Sequence, residues 1–214
     1  LALTFDGKTL RLYVNGQQVA SREATTPDAT SVGLSIGKNP IESKYFDGRI
    51  DEVRIYSSAL SEAQVQADRD TGVGLNQIPI AAYSFDEGSG TTLHDSLGNH
   101  DGTIEGGAAW STAGKRGSAL EFDGVNDVVS IADAADLDLT GPFTLEAWAR
   151  PDTTAQAPLL YKLENPSTYS GYALSASYLN KPSGATASTG TPSLLQGPEA
   201  LPIEAWSHLA LTFD

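Results

Sequence analysis

Cysteine and methionine are absent from the 214-residue sequence. Without cysteine there is no disulfide framework, no thiol nucleophile and no thiolate metal site. Basic residues are scarce, with 13 Lys and Arg against 27 Asp and Glu, giving a formal net charge of -14. Nucleic acid is therefore excluded as an expected partner, since phosphate binding needs clustered cations. No apolar run approaches the roughly 20 residues of a membrane-spanning helix. No signal-peptide pattern opens the sequence; in a slice of a longer protein the targeting segment is expected elsewhere.

What remains is a turn-rich sequence with 21 glycines and many short alternating runs. "LALTF", "TLRLYV" and "VGLSIG" alternate apolar with small or polar residues, as half-buried strands do. Asn15-Gly16 between two such runs is a strong hairpin signal, because both residues tolerate positive φ. About a dozen short strands with turn signals every 8–12 residues predict an all-β antiparallel sandwich. A single short helix is expected after Ser61, with Gln64 completing a capping box. Its apolar side, Ala63, Val65 and Ala67, is thin, which suggests a surface connector. The stretch from Lys181 to Ser193 reads as polar and turn-rich.

The hexapeptide LALTFD occurs twice, at Leu1–Asp6 and at Leu209–Asp214. Recurrence at a long fixed spacing is the mark of a repeating array. The blocks "AYSFDEGSGTTLHDSLGNHDGTI", "ALEFDGVNDVVSI", "FTLEAWARP", "WSHLALTFDGKTLRLYVNGQQV" (read across the shared hexapeptide) and "FDGRIDEVRIYSSALSEAQVQAD" resemble the laminin-G-like, concanavalin A-like jelly-roll domains of bacterial secreted proteins. The resemblance implies a two-sheet jelly roll with one short surface helix. It also implies a changed order, because the "SFDEGSG" block opens the family domain and the "IDEVRIY" block closes it. One jelly roll in permuted order is thus expected over residues 1–214: 1–73 as the family's C-terminal part, 74–79 as linker, and 80–214 as its N-terminal part. Such a chain is either a circular permutant or a slice across tandem repeats. The surplus LALTFD strand is expected to exchange with, or add to, neighbouring copies.

Asp51 is in phase with the apolar Val53 and Ile55, and Glu87 with Tyr83 and Phe85. A carboxylate on a core-facing phase is costly unless paired or bound to a cation. Together with Asp95, Asn99 and Asp101 these residues form an oxygen-only set of the kind that suits Ca²⁺. The resemblance implies the same structural calcium, with a backbone oxygen such as that of Gly98 contributing. The competing reading is that these acids cap turns or pair with Arg49 and Arg54.

Catalytic patterns are missing. "TLEAWA" carries Glu146 and Trp148 on one face, with no second acid following, and Glu164 stands alone. His94, Asp95 and Ser96 are adjacent and cannot form a triad on one strand. His100 and His208 lack metal-ligand spacing. Tyr161, Tyr169 and Tyr172 lie on or between strands that line the variable face in the family, where aromatics stack on sugars. They equally suit half-buried strands as packing residues. Three readings follow. The first is a non-catalytic extracellular or cell-surface binding or adhesion module, taking a glycan or a protein ligand and part of a larger protein. The second is a structural repeat that assembles with copies of itself. The third, with least support, is a glycan hydrolase or lyase.

Overall fold

The computed structural model describes residues 8–72, 78–164 and 170–214. The strands, in chain order, are β1 (Thr9–Val14), β2 (Gln17–Glu23), β3 (Leu34–Ile36), β4 (Lys38–Asn39), β5 (Lys44–Tyr45) and β6 (Asp47–Tyr56). After helix α1 (Glu62–Asp70) come β7 (Ala81–Tyr83), β8 (Thr92–Leu93), β9 (Gly102–Glu105), β10 (Ala109–Ser111), β11 (Ala119–Asp123) and β12 (Val128–Ile131). A 3-10 turn (Ala135–Leu137) precedes β13 (Phe143–Pro151), β14 (Ala157–Leu163), β15 (Gly171–Tyr178), β16 (Lys181–Ser188), β17 (Thr191–Gln196) and β18 (Ser207–Phe213).

These strands form two antiparallel sheets packed face to face. The first runs β10-β11-β6-β13-β18-β1-β2, with β7 also paired to β6. The second runs β17-β16-β15-β14-β3-β12-β9-β8, and β4 pairs β5 as a separate small hairpin. The inward residues of both sheets merge into one core that includes Leu10, Ile36, Ile55, Leu145, Leu174 and Leu211. This is the expected jelly-roll sandwich.

Local chemistry explains the turns. Asn15 and Gly16 both have positive φ, 52° and 77°, as a type I′ hairpin requires. The same pairing of positive values recurs at Leu179-Asn180 (52° and 65°) and Thr189-Gly190 (44° and 85°). Those two turns correct the reading of Lys181 to Ser193 as turn: it forms β16 and the start of β17, paired from Ser183↔Gln196 to Ser188↔Thr191. Small polar residues hide a strand's alternation because none of them signals a face.

The later copy of the hexapeptide occupies a strand. Leu209 to Phe213 lie in β18 between two partners, with Leu211 opposite Leu12 of β1 and opposite Leu145 of β13. Asp214 continues the pairing through backbone bonds with Thr9 of 3.2 and 3.3 Å, and its carboxylate pairs with Arg11 at 2.8 Å. The first copy lies outside the described residues.

Helix α1 carries the expected capping box between Ser61 and Gln64. It is more than a connector. Val65 is fully buried and joins Tyr13, Tyr56, Leu60 and Ala210 in a second apolar cluster on the outer face of the first sheet.

Candidate functional site: an open face and a covered face

Strand parity decides which side chains reach the outer face of the second sheet. The β14–β15 register sets Tyr161 opposite Ala173 and Lys162 opposite Tyr172, so Tyr161 and Tyr172 point to opposite sides. Tyr161 faces outward, with Leu163, Ala173 and Ser175. Small outward residues on β16, Ser183 and Ala185, leave room above the strands. The result is a hollow walled by Tyr161 and Tyr178 and edged by Asn39 of β4 and Glu42 of the β4–β5 loop. A second hollow lies beside it over Ser35 and Ser130. Ile41 and Leu163 belong to both, so the two form a groove with a low apolar ridge. Tyr161 hydroxyl and Ser175 Oγ are hydrogen-bonded at 3.1 Å. Burial pushes the Tyr161 phenol up to about 12, against the opposing effect of Ser175. Among the lining residues Glu42 is the sole charged side chain.

Tyr172 is placed in the core instead. Its ring centroid is 5.6 Å from that of Phe143, and its hydroxyl donates to Leu137 O at 3.0 Å. Tyr169 lies outside the described residues.

The acidic set divides into separate networks. Asp95 is buried, and its Oδ1 accepts from Ala82 N at 2.9 Å and Leu97 N at 3.2 Å. Its Oδ2 accepts from Asn99 N and His100 N, both at 3.2 Å. Asp101 Oδ1 accepts from Asp95 N, and its Oδ2 meets His94 Nδ1 at 3.0 Å. Those two contacts, the Asp95 amide foremost, hold the Asp101 carboxyl below the usual carboxylate range. Glu87 Oε1 accepts from His94 N at 2.8 Å. Gly98 turns the loop at φ 77°, and its amide donates to Asp95 O at 2.8 Å. Asp95 and one oxygen each of Asp51, Glu87 and Asp101 are thus turned toward amides, whereas Asp51 Oδ1 and Glu87 Oε2 have no hydrogen-bond partner among the described residues. Among the described residues no group of three or more His, Cys, Asp or Glu stands arranged to hold a metal ion. As folded, the set does not fit a calcium.

Asp51 sits elsewhere because of a bulge that the sequence did not reveal. In β6, Glu52 and Val53 together oppose one residue of β13, and Glu52 has φ 52°. The bulge resets the alternation. Ile50, Val53 and Ile55 face the core, while Asp51 and Arg54 face outward beside Trp148 and Glu146. The expectation that Asp51 shares the phase of Val53 is corrected on that ground. Asp51 Oδ2 accepts from Arg116 N at 2.9 Å. Burial, opposed by that amide and reinforced by Glu52, pushes its carboxyl up to about 7.

A covered layer of charged residues therefore lies on the outer face of the first sheet. Arg54 Nη2 donates to Glu52 Oε2 and to Thr71 O, both at 2.7 Å, and Nη1 donates to Asp68 O at 2.8 Å. Glu146 Oε2 is 3.6 Å from Arg54 Nη1 and 3.7 Å from His208 Nε2. Glu146 and His208 are fully buried. Neither oxygen of Glu146, neither ring nitrogen of His208, nor Trp148 Nε1 has a hydrogen-bond partner among the described residues. Lys115 Nζ lies 4.1 Å above the Trp148 ring. Reading the sequence one strand at a time left Glu146 without a partner. The order β6-β13-β18 supplies Arg54 from one side and His208 from the other.

Two packed antiparallel sheets, one outer face open as a groove and the other roofed by a helix, define a jelly-roll sandwich of the lectin-like class. The laminin G family described as the concanavalin A-like lectin/glucanases superfamily matches residues 1–66 and 123–214, and the chain belongs to it. No curated protein and no solved structure matches the chain.

Proposed function

We propose that the chain is a non-catalytic binding module whose site is the groove across the second sheet, and that its ligand is an uncharged saccharide. The observation that carries this reading is the groove's chemistry: an apolar floor of small residues, two tyrosine walls, a few hydroxyls and one carboxylate. Concave, mostly apolar sites with sparse polar groups are the usual form of small-ligand sites. A pyranose offers apolar faces and hydroxyl edges that match such a lining. An acidic sugar would meet Glu42 and no cation. Laminin G-like domains are generally binding modules and typically extracellular, and no helix among the described residues is long and apolar enough to cross a membrane. Ala185→Trp tests the reading, because the outward, half-buried Ala185 lies within the groove. On a glycan array the parent chain is expected to bind neutral saccharides and the variant to lose them while still folding. Equal binding by both chains, or binding confined to acidic glycans, would overturn it.

The duplicated hexapeptide supports a second reading, a repeat that associates with copies of itself. The copy at Leu209–Asp214 fills a slot that an identical segment of another chain could fill equally well. Light scattering at rising concentration tests this. A monomer at every concentration sinks the self-association reading and leaves the groove untouched.

A further inference from the structure

The covered face of the first sheet holds a group in an unusual state. Glu146 is fully buried, and neither of its oxygens has a hydrogen-bond partner among the described residues, with Arg54 Nη1 and His208 Nε2 standing 3.6 and 3.7 Å from Oε2. A carboxylate stripped of water and held beyond hydrogen-bond reach of its cations is disfavoured as an anion, so burial shifts the balance toward the protonated acid. The residues around it come from every packed element. From β6 come Asp51, Glu52, Arg54 and Tyr56, and from β18 comes His208. Tyr13 of β1 stands across Ala210, and Arg116 reaches in from the loop before β11. From α1 come Asp68, near Glu146, and Asp70, near His208.

The same residues hold the roof. Arg54 donates to the carbonyls of Asp68 and Thr71 at the end of α1, and Tyr56 donates to Asp68 Oδ2 at 2.7 Å. Arg116 Nη2 donates to Arg69 O at 3.1 Å. The helix is thus fastened to the sheet through polar ties directly beside Glu146. Lifting it would hydrate Glu146 and uncover the apolar cluster of Tyr13, Tyr56, Leu60, Val65 and Ala210.

We propose that α1 is a proton-linked cover, with Glu146 holding a proton while the helix is docked and releasing it when the helix lifts. Glu52, strained at φ 52° in the bulge that turns Arg54 outward, belongs to the same device. Burial foremost raises the Glu146 carboxyl above its ordinary value, against the pull of His208 and Arg54. Uncovered and hydrated, the group returns to about 4.3. Opening therefore releases a proton at any pH between that value and the docked one. The lifted population rises about tenfold per pH unit across that window. Below about 4.3 both states hold the proton, and this group gives no pH dependence. The cover is tight in acid and loosens as pH rises.

Amide hydrogen exchange on the full chain, followed as pH rises from about 5 and corrected for intrinsic exchange, tests this. Residues 65–71 of the helix end are expected to lose protection as pH rises, by up to about tenfold per pH unit. Those of β13 from Phe143 to Ala149 are expected to stay constant. Glu146→Gln keeps the shape, removes the titration and should flatten the helix response. The proposal fails if helix protection is flat in the parent chain, moves in step with β13, or keeps its slope in the variant. Should Glu146→Gln not fold, the carboxyl carbon resonance of Glu146 in the parent chain decides. A midpoint at the ordinary glutamate value overturns the proposal, and a raised one upholds it.

Discussion

The outward positions of β6, β13 and β18 carry Arg54, Glu146, Trp148 and His208, whereas those of β14, β15 and β16 carry Tyr161, Ala173, Ser175, Ser183 and Ala185. Both sets stand on antiparallel sheets with the same pleat. One face is roofed by a helix and filled with charge; the other is left open and lined with small residues. The difference shows that a sandwich has two independent outer surfaces. Small residues create space for a ligand, while long polar residues reach up to fasten a cover. Of these two faces, the open one is where the proposed ligand would enter without moving the protein.

The largest expected effect lies on the covered face. Arg54 is 2% exposed and serves the Glu52 carboxylate and the carbonyls of Asp68 and Thr71 at the end of α1. Arg54→Met would leave Glu52 and the helix end without that cation. Removing one partner of a buried ion pair costs about 3–5 kcal/mol. Urea denaturation should show that loss. A loss under about 1 kcal/mol would mean that the charged layer is not what holds the helix.

A second buried cation sharpens the contrast. Lys162 faces inward from β14, and its ammonium meets Asp133 Oδ1 at 2.6 Å, Val32 O at 2.8 Å, Thr30 Oγ1 at 2.9 Å and Asp138 Oδ1 at 3.0 Å. Its main partner is half in water, with the Asp133 side chain 42% exposed. Lys162→Met should therefore cost less than Arg54→Met, about 2 kcal/mol, because the carboxylates left behind can hydrate. Equal costs in the two variants would show that cover and exposure make no difference. The groove variant Ala185→Trp stands lower still. An outward substitution into open space should change stability by less than about 0.5 kcal/mol.

How far the sequence foretold these faces depends on the range of the signal. The cap at Ser61 and the turn at Asn15-Gly16 are local, and both were legible. The five family blocks were legible, although in permuted order, so the sandwich followed. What failed to show depends on neighbours far along the chain. One extra residue at Glu52 reversed the side on which Asp51 stands, and nothing in "IDEVRIY" marks a bulge. Tyr161 and Tyr172 look alike in sequence, but hairpin pairing puts one in the groove and the other in the core. Glu146 had no visible partner because Arg54 and His208 arrive from strands 92 residues before and 62 after it.

Calcium offers the smallest expected effect and the most direct way to break the comparison. Were a cation to join Asp51 on the first sheet to Asp95, Asn99 and Asp101, that face would owe its closure to metal rather than to α1. The geometry argues otherwise. Asp95 already accepts four backbone amides, and a cation would have to displace some of them at a cost in buried, unsatisfied donors. Asp51 meanwhile takes its hydrogen bond from Arg116 and not from the loop. Chelator is therefore expected to leave the melting temperature unchanged, and added calcium to leave it flat. A cation that bound only the folded chain would stabilise it by about 2.7 kcal/mol at a hundredfold excess over its dissociation constant. A calcium-dependent rise that vanishes in Asp95→Asn would return the metal to this loop. The amide cradle around Asp95 would then be the form the loop takes before the ion enters.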